Sequence, residues 1–218
     1  ELGIKVELAR LSDALSEEKL KKALSLIAAK KNITGIILQL PLPPGIAAQE
    51  VLDTLPVKKD VDVLSSQAFG RFVLNQKGAL LPPVVSAVAR LLQEAKVNLQ
   101  GSEVTVVGAG RLVGLPLAVW LMQQKATVHV ANAHTKNLGQ LTKKSDIVIS
   151  GTGKPGLIKG AMIKKGAVVI DAGTALETGK IKGDVAKDVA KVARFLSSVP
   201  GGVGPLTVAY LLRNLFLL

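Results

Sequence analysis

The chain contains no cysteine. That excludes disulfides, thiolate nucleophiles and cysteine-ligated metal, and it is compatible with a reducing compartment. Histidine is nearly absent too: His129 and His134 are the only two. Two imidazoles are too few for a histidine-built centre, so no metal is expected. Aromatic residues make up 3% of the sequence, which leaves little surface for stacking nucleobases. The longest apolar stretch, from about Pro205 to Leu218, is broken by Arg213-Asn214 and is too short to span a bilayer. It reads as a buried or docking helix. No membrane association is expected.

What the chain does have is aliphatic. Hydrophobic residues account for 48% of 218, enough for one large domain or two small ones. Cores of Val, Ile and Leu suit parallel sheets buried on both faces. The formal net charge is +12, and the partners of such a surface are polyanions, phosphorylated ligands or polycarboxylates. The lysines are scattered or paired, as at Lys21-Lys22, Lys58-Lys59 and Lys143-Lys144. Without a basic run or stacking aromatics, no specific nucleic-acid partner is expected.

Hydrophobic periodicity divides the chain near residue 80. In the first part, Lys5–Leu11 reads as a strand. Ser16 caps a helix whose Leu20, Ala23, Leu24 and Ile27 share one face. Gly35–Leu40 reads as a second strand, and a helix follows from about Ala47 to Leu55. Asp60 and Asp62 fall in a polar loop, where they are either ligand-facing carboxylates or members of a solvated charge cluster. Residues 70–78 look irregular or extended. In the second part, Pro82-Pro83 leads a long helix to about Ala95. Strands are expected at Glu103–Val107, Ala126–Ala131, Asp146–Ser150 and Ala167–Asp171. Helices are expected at Leu112–Gln123, Leu138–Lys143, Val185–Val192 and from Pro205 onward. This alternation predicts an α/β protein with a Rossmann-like, doubly wound parallel sheet.

Two glycine clusters stand at chemically useful places. Gly108-Ala109-Gly110-Arg111-Leu112-Val113-Gly114 joins a valine-rich strand to a helix. Its G-x-G-x-x-x-G spacing is one residue longer than the common dinucleotide fingerprint. Such a turn brings backbone N–H groups and a helix N-terminus to a phosphate. No acid stands at the end of the next strand, Val130-Ala131-Asn132-Ala133-His134-Thr135-Lys136. An acid there would bind the ribose hydroxyls of NAD, so Thr135 and Lys136 favour NADP. The second cluster, Pro200-Gly201-Gly202-Val203-Gly204-Pro205-Leu206-Thr207, opens the last helix with three glycines in four residues. Gln39 ends an apolar strand, where open α/β sheets place ligand contacts. His129 reads as structural, and His134 as an exposed loop residue.

Taken in order, Leu38-Gln39-Leu40-Pro41-Leu42-Pro43, Lys59-Asp60-Val61-Asp62, Gly108 to Pro116, Gly151-Thr152-Gly153-Lys154-Pro155-Gly156, Val169-Ile170-Asp171-Ala172-Gly173 and Pro200 to Thr207 resemble the bifunctional methylenetetrahydrofolate dehydrogenase/cyclohydrolase family over essentially the whole chain. The resemblance implies an N-terminal α/β catalytic domain at 1–80, lacking its opening segment. It implies a Rossmann-like NADP domain at 81–205 and a C-terminal helix at 206–218 that packs back on the first domain. The implied reaction is NADP-dependent oxidation of methylenetetrahydrofolate, then hydrolysis to formyltetrahydrofolate, in one-carbon metabolism and purine biosynthesis. Gln39 matches the glutamine beside the catalytic lysine, and Asp62 the pterin-binding aspartate. Gly108, Gly110, Arg111, Val113, Gly114, Thr135, Gly151, Thr152 and Gly153 fall at the cofactor. Gly201, Gly202, Pro205 and Thr207 fall at the folate and nicotinamide pocket. The implied partners are a tetrahydrofolate derivative, whose polyglutamylated forms would suit the basic surface, and a second copy of the chain in a homodimer.

Several positions depart from the family pattern. Val63 stands where the family has glycine after the pterin aspartate. Ala109-Gly110 replaces Arg-Ser, Ala133 replaces a serine, and Pro82-Pro83-Val84-Val85 replaces Pro-Cys-Thr-Pro. The Tyr-x-x-x-Lys motif is expected upstream of Glu1, so these 218 residues alone are not expected to hydrolyse methenyltetrahydrofolate. Two readings follow: a divergent enzyme of the family, or a family member serving as a ligand-binding or non-catalytic subunit. A cytoplasmic setting is expected, with an organellar origin left open by the start at Glu1.

Overall fold

The computed structural model describes residues 3–177 and 179–218. Its second part is built on a five-stranded parallel sheet. The strands are β1 (Glu103–Val107), β2 (Thr127–Ala131), β3 (Ile147–Ser150), β4 (Val168–Asp171) and, after a β5 (Ala175–Glu177) and β6 (Lys180–Lys182) hairpin, β7 (Phe195–Leu196). The order across the sheet is β2-β1-β3-β4-β7. Residues of β3 and β4 are buried throughout, which is why they read as unbroken Val/Ile runs. The chain leaves β1 for one side of the sheet and returns at β3 on the other. The carboxyl ends of β1 and β3 therefore bound a topological switch point, the ligand crevice of open α/β sheets.

The helices are α1 (Glu17–Ala29), α2 (Ala48–Leu52), α3 (Ser66–Val73), α4 (Pro83–Glu94), α5 (Gly114–Gln123), α6 (Leu138–Lys144) and α7 (Val203–Leu217). Ser16 caps α1 through its hydroxyl, with Glu17 and Glu18 in the first turn, where acids complement the helix dipole. At the far end Lys59 Nζ donates to Ala28 O and Lys30 O, both at 2.8 Å. A distant lysine thus satisfies carbonyls that the helix leaves open. Leu20, Leu24 and Ala28 pack with Ile36, Val51, Leu52 and Leu55 as a core of their own. Pro83 opens α4 at a position where its missing N–H is harmless. That helix buries Val84, Val85, Ala87, Val88 and Leu92 beneath the sheet and α7. Helix α7 also reaches the first part. Asn214, 3% exposed, donates to Val61 O at 2.9 Å and to Leu81 O at 3.0 Å.

The first part differs most from its reading. Residues 5–11 form no strand and expose Val6 and Leu8. Gly35–Leu40 contributes only an isolated parallel bridge, Ile36 with Asp60. Alternating apolar residues make a strand only where a neighbouring ladder satisfies the backbone. The stretch expected to be irregular after Gly70 instead lies partly inside α3, capped by Ser65, whose hydroxyl accepts from Ala68 N. In the second part α5 starts at Gly114, two residues later than expected. Val185–Val192 is a short 3-10 turn at Lys187–Lys191 rather than a helix. The β5–β6 hairpin and β7 were not foreseen.

Candidate functional site

Three segments meet so tightly at the switch point that only glycine fits. Gly108 follows β1 with φ +103°, and a Cβ there would lie 2.7 Å from Gly151 O. A Cβ on Gly114 would collide with Gly108 O, and one on Gly151 would lie 2.5 Å from Val113 Cγ1. Gly108, Val113, Gly114 and Gly151 therefore form one packed unit joining the turns after β1 and β3. Gly110 has a different role. A Cβ there would meet nothing within 4 Å, so its backbone faces open space beside the start of α5. Gly153, with φ +68°, is also exposed. The two turns thus present exposed backbone at Gly110 and Gly153 beside a helix N-terminus, the kind of position that attracts anions.

Thr152 is held from below: its N–H donates to Asp184 Oδ2 at 2.6 Å. Thr135 lies past the end of β2. Its Oγ1 accepts from Asn132 N at 2.8 Å, which leaves the hydroxyl proton to donate outward. His134 is exposed, as expected. His129 Nε2 lies 2.8 Å from Glu103 Oε2 on the neighbouring strand, a cross-strand pair away from the crevice.

The two aspartates of the Lys-Asp-Val-Asp segment have separate tasks. Asp60 is 1% exposed; its Oδ1 accepts from Leu64 N at 3.2 Å and its Oδ2 from Ser65 N at 2.7 Å. It staples the loop and does not face a ligand. Asp62 is half-buried. Burial, reinforced by the Asp60 charge, pushes its carboxyl up to about 6. Such a group at a partly enclosed position is a candidate for function. The segment is thus neither wholly polar nor a solvated cluster.

Gln39 is exposed, with its Nε2 on Leu40 O at 3.0 Å. The bridge between Ile36 and Asp60 is parallel, so the chain runs on to Gln39 and to Asp62 in the same direction. The Leu40–Pro41 and Val199–Pro200 bonds are cis. At the last turn, Gly201 has φ +103°, and a Cβ on Gly202 would overlap Ser198 O. Ser197 Oγ ties this turn to β4 by accepting from Asp171 N at 2.8 Å. Pro205 lies in the first turn of α7 and is exposed. Thr207 Oγ1 donates back to Val203 O at 2.9 Å.

The two halves of the site are joined by Arg111. From the glycine turn, its Nη2 donates to Leu64 O at 2.7 Å, two residues past Asp62. Sequence reasoning assigned Arg111 to the cofactor and did not foresee this link. Asp184 was also missed; the signal available was a Gly183-Asp184 pair after a short strand. A separate cavity of about 260 Å³, lined by Lys164, Lys165 and Arg194 among others, sits at the opposite, amino-terminal edge of the sheet. Among the described residues no group of three acidic or histidine side chains is placed to hold a metal.

A parallel sheet with packed glycine turns at its switch point, beside a helix N-terminus facing open space, defines a dinucleotide-binding α/β protein. Comparison with known proteins narrows the class. Residues 82–218 match the model of the tetrahydrofolate dehydrogenase/cyclohydrolase NAD(P)-binding domain, and residues 1–62 that of the catalytic domain of the same family. The bifunctional protein FolD of Fusobacterium nucleatum is 39% identical over 216 residues, covering 99% of this chain and 76% of that protein. The crystal structure of the FolD bifunctional enzyme from Campylobacter jejuni superposes with a TM-score of 0.89 at 34% identity, covering 93% of this chain and 73% of the other. The Trypanosoma brucei enzyme, complexed with NADP cofactor and inhibitor, gives 0.88 at 35% identity, covering 94% and 73%. The chain belongs to the tetrahydrofolate dehydrogenase/cyclohydrolase family.

Proposed function

We propose that the crevice between the glycine turns and the Asp62 loop is where this family's chemistry takes place in this chain. The activity is that of a methylenetetrahydrofolate dehydrogenase/cyclohydrolase. The methylene bridge of the folate loses a hydride to become a methenyl bridge. In this family water then adds to that bridge, and opening of one carbon–nitrogen bond gives formyltetrahydrofolate; the step assigned to the crevice of these 218 residues is the hydride transfer. The observation that carries the assignment of the site is the Arg111–Leu64 link, which holds the dinucleotide turn against the Asp62 loop.

NADP, when bound, supplies the hydride acceptor. The cradle fits it: Gly110 leaves open space and Gly153 is exposed, α5 presents its N-terminus, and Thr135 has a proton to donate. We assign the cofactor to Gly108, Gly110, Arg111, Val113, Gly114, Thr135, Gly151, Thr152 and Gly153. Asp62 accepts paired N–H donors of the pterin, a charge-assisted contact, and Gln39 offers its amide on the same side. The backbone at Gly201 and Gly202 closes the pocket, with Pro205 in the first turn of α7 beside it. Thr207 belongs here through its position, since its hydroxyl is committed to the helix backbone.

The basic surface suits a polyglutamate tail on the folate. A homodimer is supported by the edge position of β2, where Val130 is 45% exposed and Met122 of α5 is 58% exposed. The division near residue 80, with α7 returning to the first domain, is supported by the two hydrogen bonds of Asn214.

The test is calorimetric titration of the purified protein with NADP, NAD and a tetrahydrofolate analogue. NADP is expected to bind more tightly than NAD, and both NADP and folate binding should weaken when Gly114 is replaced. No NADP binding at millimolar concentration would overturn the reading.

A further inference from the structure

Beneath the loop that follows β3 lies a buried pair of carboxylates that no step above uses. Asp184 is fully buried and Asp171 is 3% exposed. Asp171 Oδ1 accepts from Gly173 N at 3.0 Å and from Asp184 N at 3.1 Å, and its Oδ2 accepts from Val185 N at 2.9 Å. Asp171 therefore fixes the backbone on which Asp184 sits. Asp184 in turn points its Oδ2 at β3 and the loop above it, accepting from Ser150 Oγ at 2.7 Å and from Thr152 N at 2.6 Å. The surrounding backbone is shaped to admit both groups. A Cβ on Gly173 would overlap the Asp184 carboxylate, and one on Gly183 would overlap that of Asp171.

Burying a carboxylate is costly unless its oxygens are satisfied. A group present only to hold the fold would be expected to use both oxygens. Here Asp184 Oδ1 has no hydrogen-bond partner among the described residues. All the side-chain bonding runs through Oδ2, to the Ser150 hydroxyl at the end of β3 and to the Thr152 N–H of the Gly151-Thr152-Gly153 turn. That turn is the second wall of the crevice. Gly151 touches Gly108 through its carbonyl and Val113 through its Cα side, so a shift of Thr152 moves the surface that the cofactor meets.

We infer that Asp184 is a positioning residue for the dinucleotide, holding Thr152 so that the turn after β3 stays pressed against the glycine turn after β1. This rests on the proposed NADP site. The acceptor at Oδ2 is what matters, so an amide can replace the carboxylate. With its carbonyl oxygen toward Ser150 and Thr152, an asparagine keeps both bonds and puts its NH₂ where the unpartnered oxygen was. A side chain with no acceptor releases Thr152.

The experiment compares Asp184→Asn, Asp184→Ala and Ser150→Ala with the unmodified protein, measuring the Kd for NADP, the Kd for a tetrahydrofolate analogue, and thermal melting. Asp184→Asn should keep NADP affinity within about threefold, even if it melts earlier. Asp184→Ala should weaken NADP tenfold or more, the range for a lost hydrogen bond to a charged group, with folate affinity changed less than threefold. Ser150→Ala removes one of the two bonds that fix Oδ2. It should weaken NADP severalfold with little change in melting, which keeps the inference testable if Asp184→Ala does not fold. Unchanged NADP affinity in Ser150→Ala and in any folded Asp184→Ala would overturn it. So would a parallel loss of NADP and folate binding, or an Asp184→Asn as weak as Asp184→Ala. If the unmodified protein itself does not bind NADP, the proposed function fails first.

Discussion

Arg111 and Leu64 are 47 positions apart, yet the guanidinium of one donates to the carbonyl of the other at 2.7 Å. The bond ties the turn that follows β1 to the loop that carries Asp62. It also brings a positive charge near Asp53. Burial works against ionisation of Asp53, but hydrogen bonds from Ser66 and Gln49, with the Arg111 charge, hold its carboxyl below the usual range. Replacing Arg111 by Ala should loosen the Asp62 loop from the glycine turn. We expect folate affinity to fall about three- to tenfold and stability by about 1–2 kcal/mol, the scale of a partly screened charge-assisted bond. Titration with and without NADP checks this. Unchanged folate affinity would show that the loop is held without Arg111.

Asp62 predicts a pH dependence of opposite sign for binding and for stability. Its carboxyl is raised to about 6 by burial and by Asp60, against about 3.9 in an unfolded chain. The folded state therefore holds the proton more tightly. The group's contribution to stability is fully present below about 4 and is lost as pH rises through 6. The proposed pterin contact uses the ionised form, so folate affinity is expected to rise with pH across the same range, with a midpoint near 6. In Asp62→Asn that midpoint should vanish and affinity fall roughly tenfold. A pH profile of folate binding that is unaltered in the variant would remove Asp62 from the site.

The glycine turns were legible in the sequence because their cause is local: a turn between strand and helix that excludes a Cβ must be written as glycine. The buried strands β1, β3 and β4 were legible for a similar reason, since burial on both faces demands Val and Ile along their length. Lys5–Leu11 misled because alternation alone does not supply a ladder. Helix α3 was hidden because Gly70 interrupts its apolar spacing, whereas the Ser65 cap that starts it is the stronger signal. The Arg111–Leu64 and Asp184–Thr152 bonds were not legible, because each joins segments brought together only by the folded sheet.

Val63 lies in the left-handed region, with φ +60°, and is 1% exposed. A β-branched residue is strained there, but its side chain packs with Ala68, Phe72 and Val84 in the core. Two effects oppose each other. Leaving the left-handed penalty behind gains about 1–2 kcal/mol, while removing a buried valine costs about 1.5–3 kcal/mol. Val63→Ala loses most of the packing and keeps the strain; Val63→Gly loses slightly more packing and is free of the strain. Thermal or urea melts should therefore find Val63→Gly no less stable than Val63→Ala, the reverse of the usual order. A glycine variant clearly less stable than the alanine variant would show that the left-handed strain is small.

Gly110 and Gly114 give the sharpest contrast within one turn. A Cβ on Gly114 would overlap Gly108 O, whereas one on Gly110 would meet nothing within 4 Å, and Gly110 does not have the positive φ of Gly108. Adding one methyl group at each position therefore tests separate properties of the cradle. Gly114→Ala must push α5 away from the turn after β1. We expect it to lower stability by about 1–3 kcal/mol, the scale of overpacking in a close-packed region, and to weaken NADP binding more than tenfold. Gly110→Ala should leave stability within about 0.5 kcal/mol, as ordinary surface substitutions do. Its effect on NADP depends only on whether the cofactor occupies the open space beside it, and we expect a loss of affinity there without any loss of stability. Melting curves and NADP titrations of the two variants separate the outcomes. A Gly110→Ala protein that binds NADP as tightly as the unmodified chain would move the cofactor away from the start of α5.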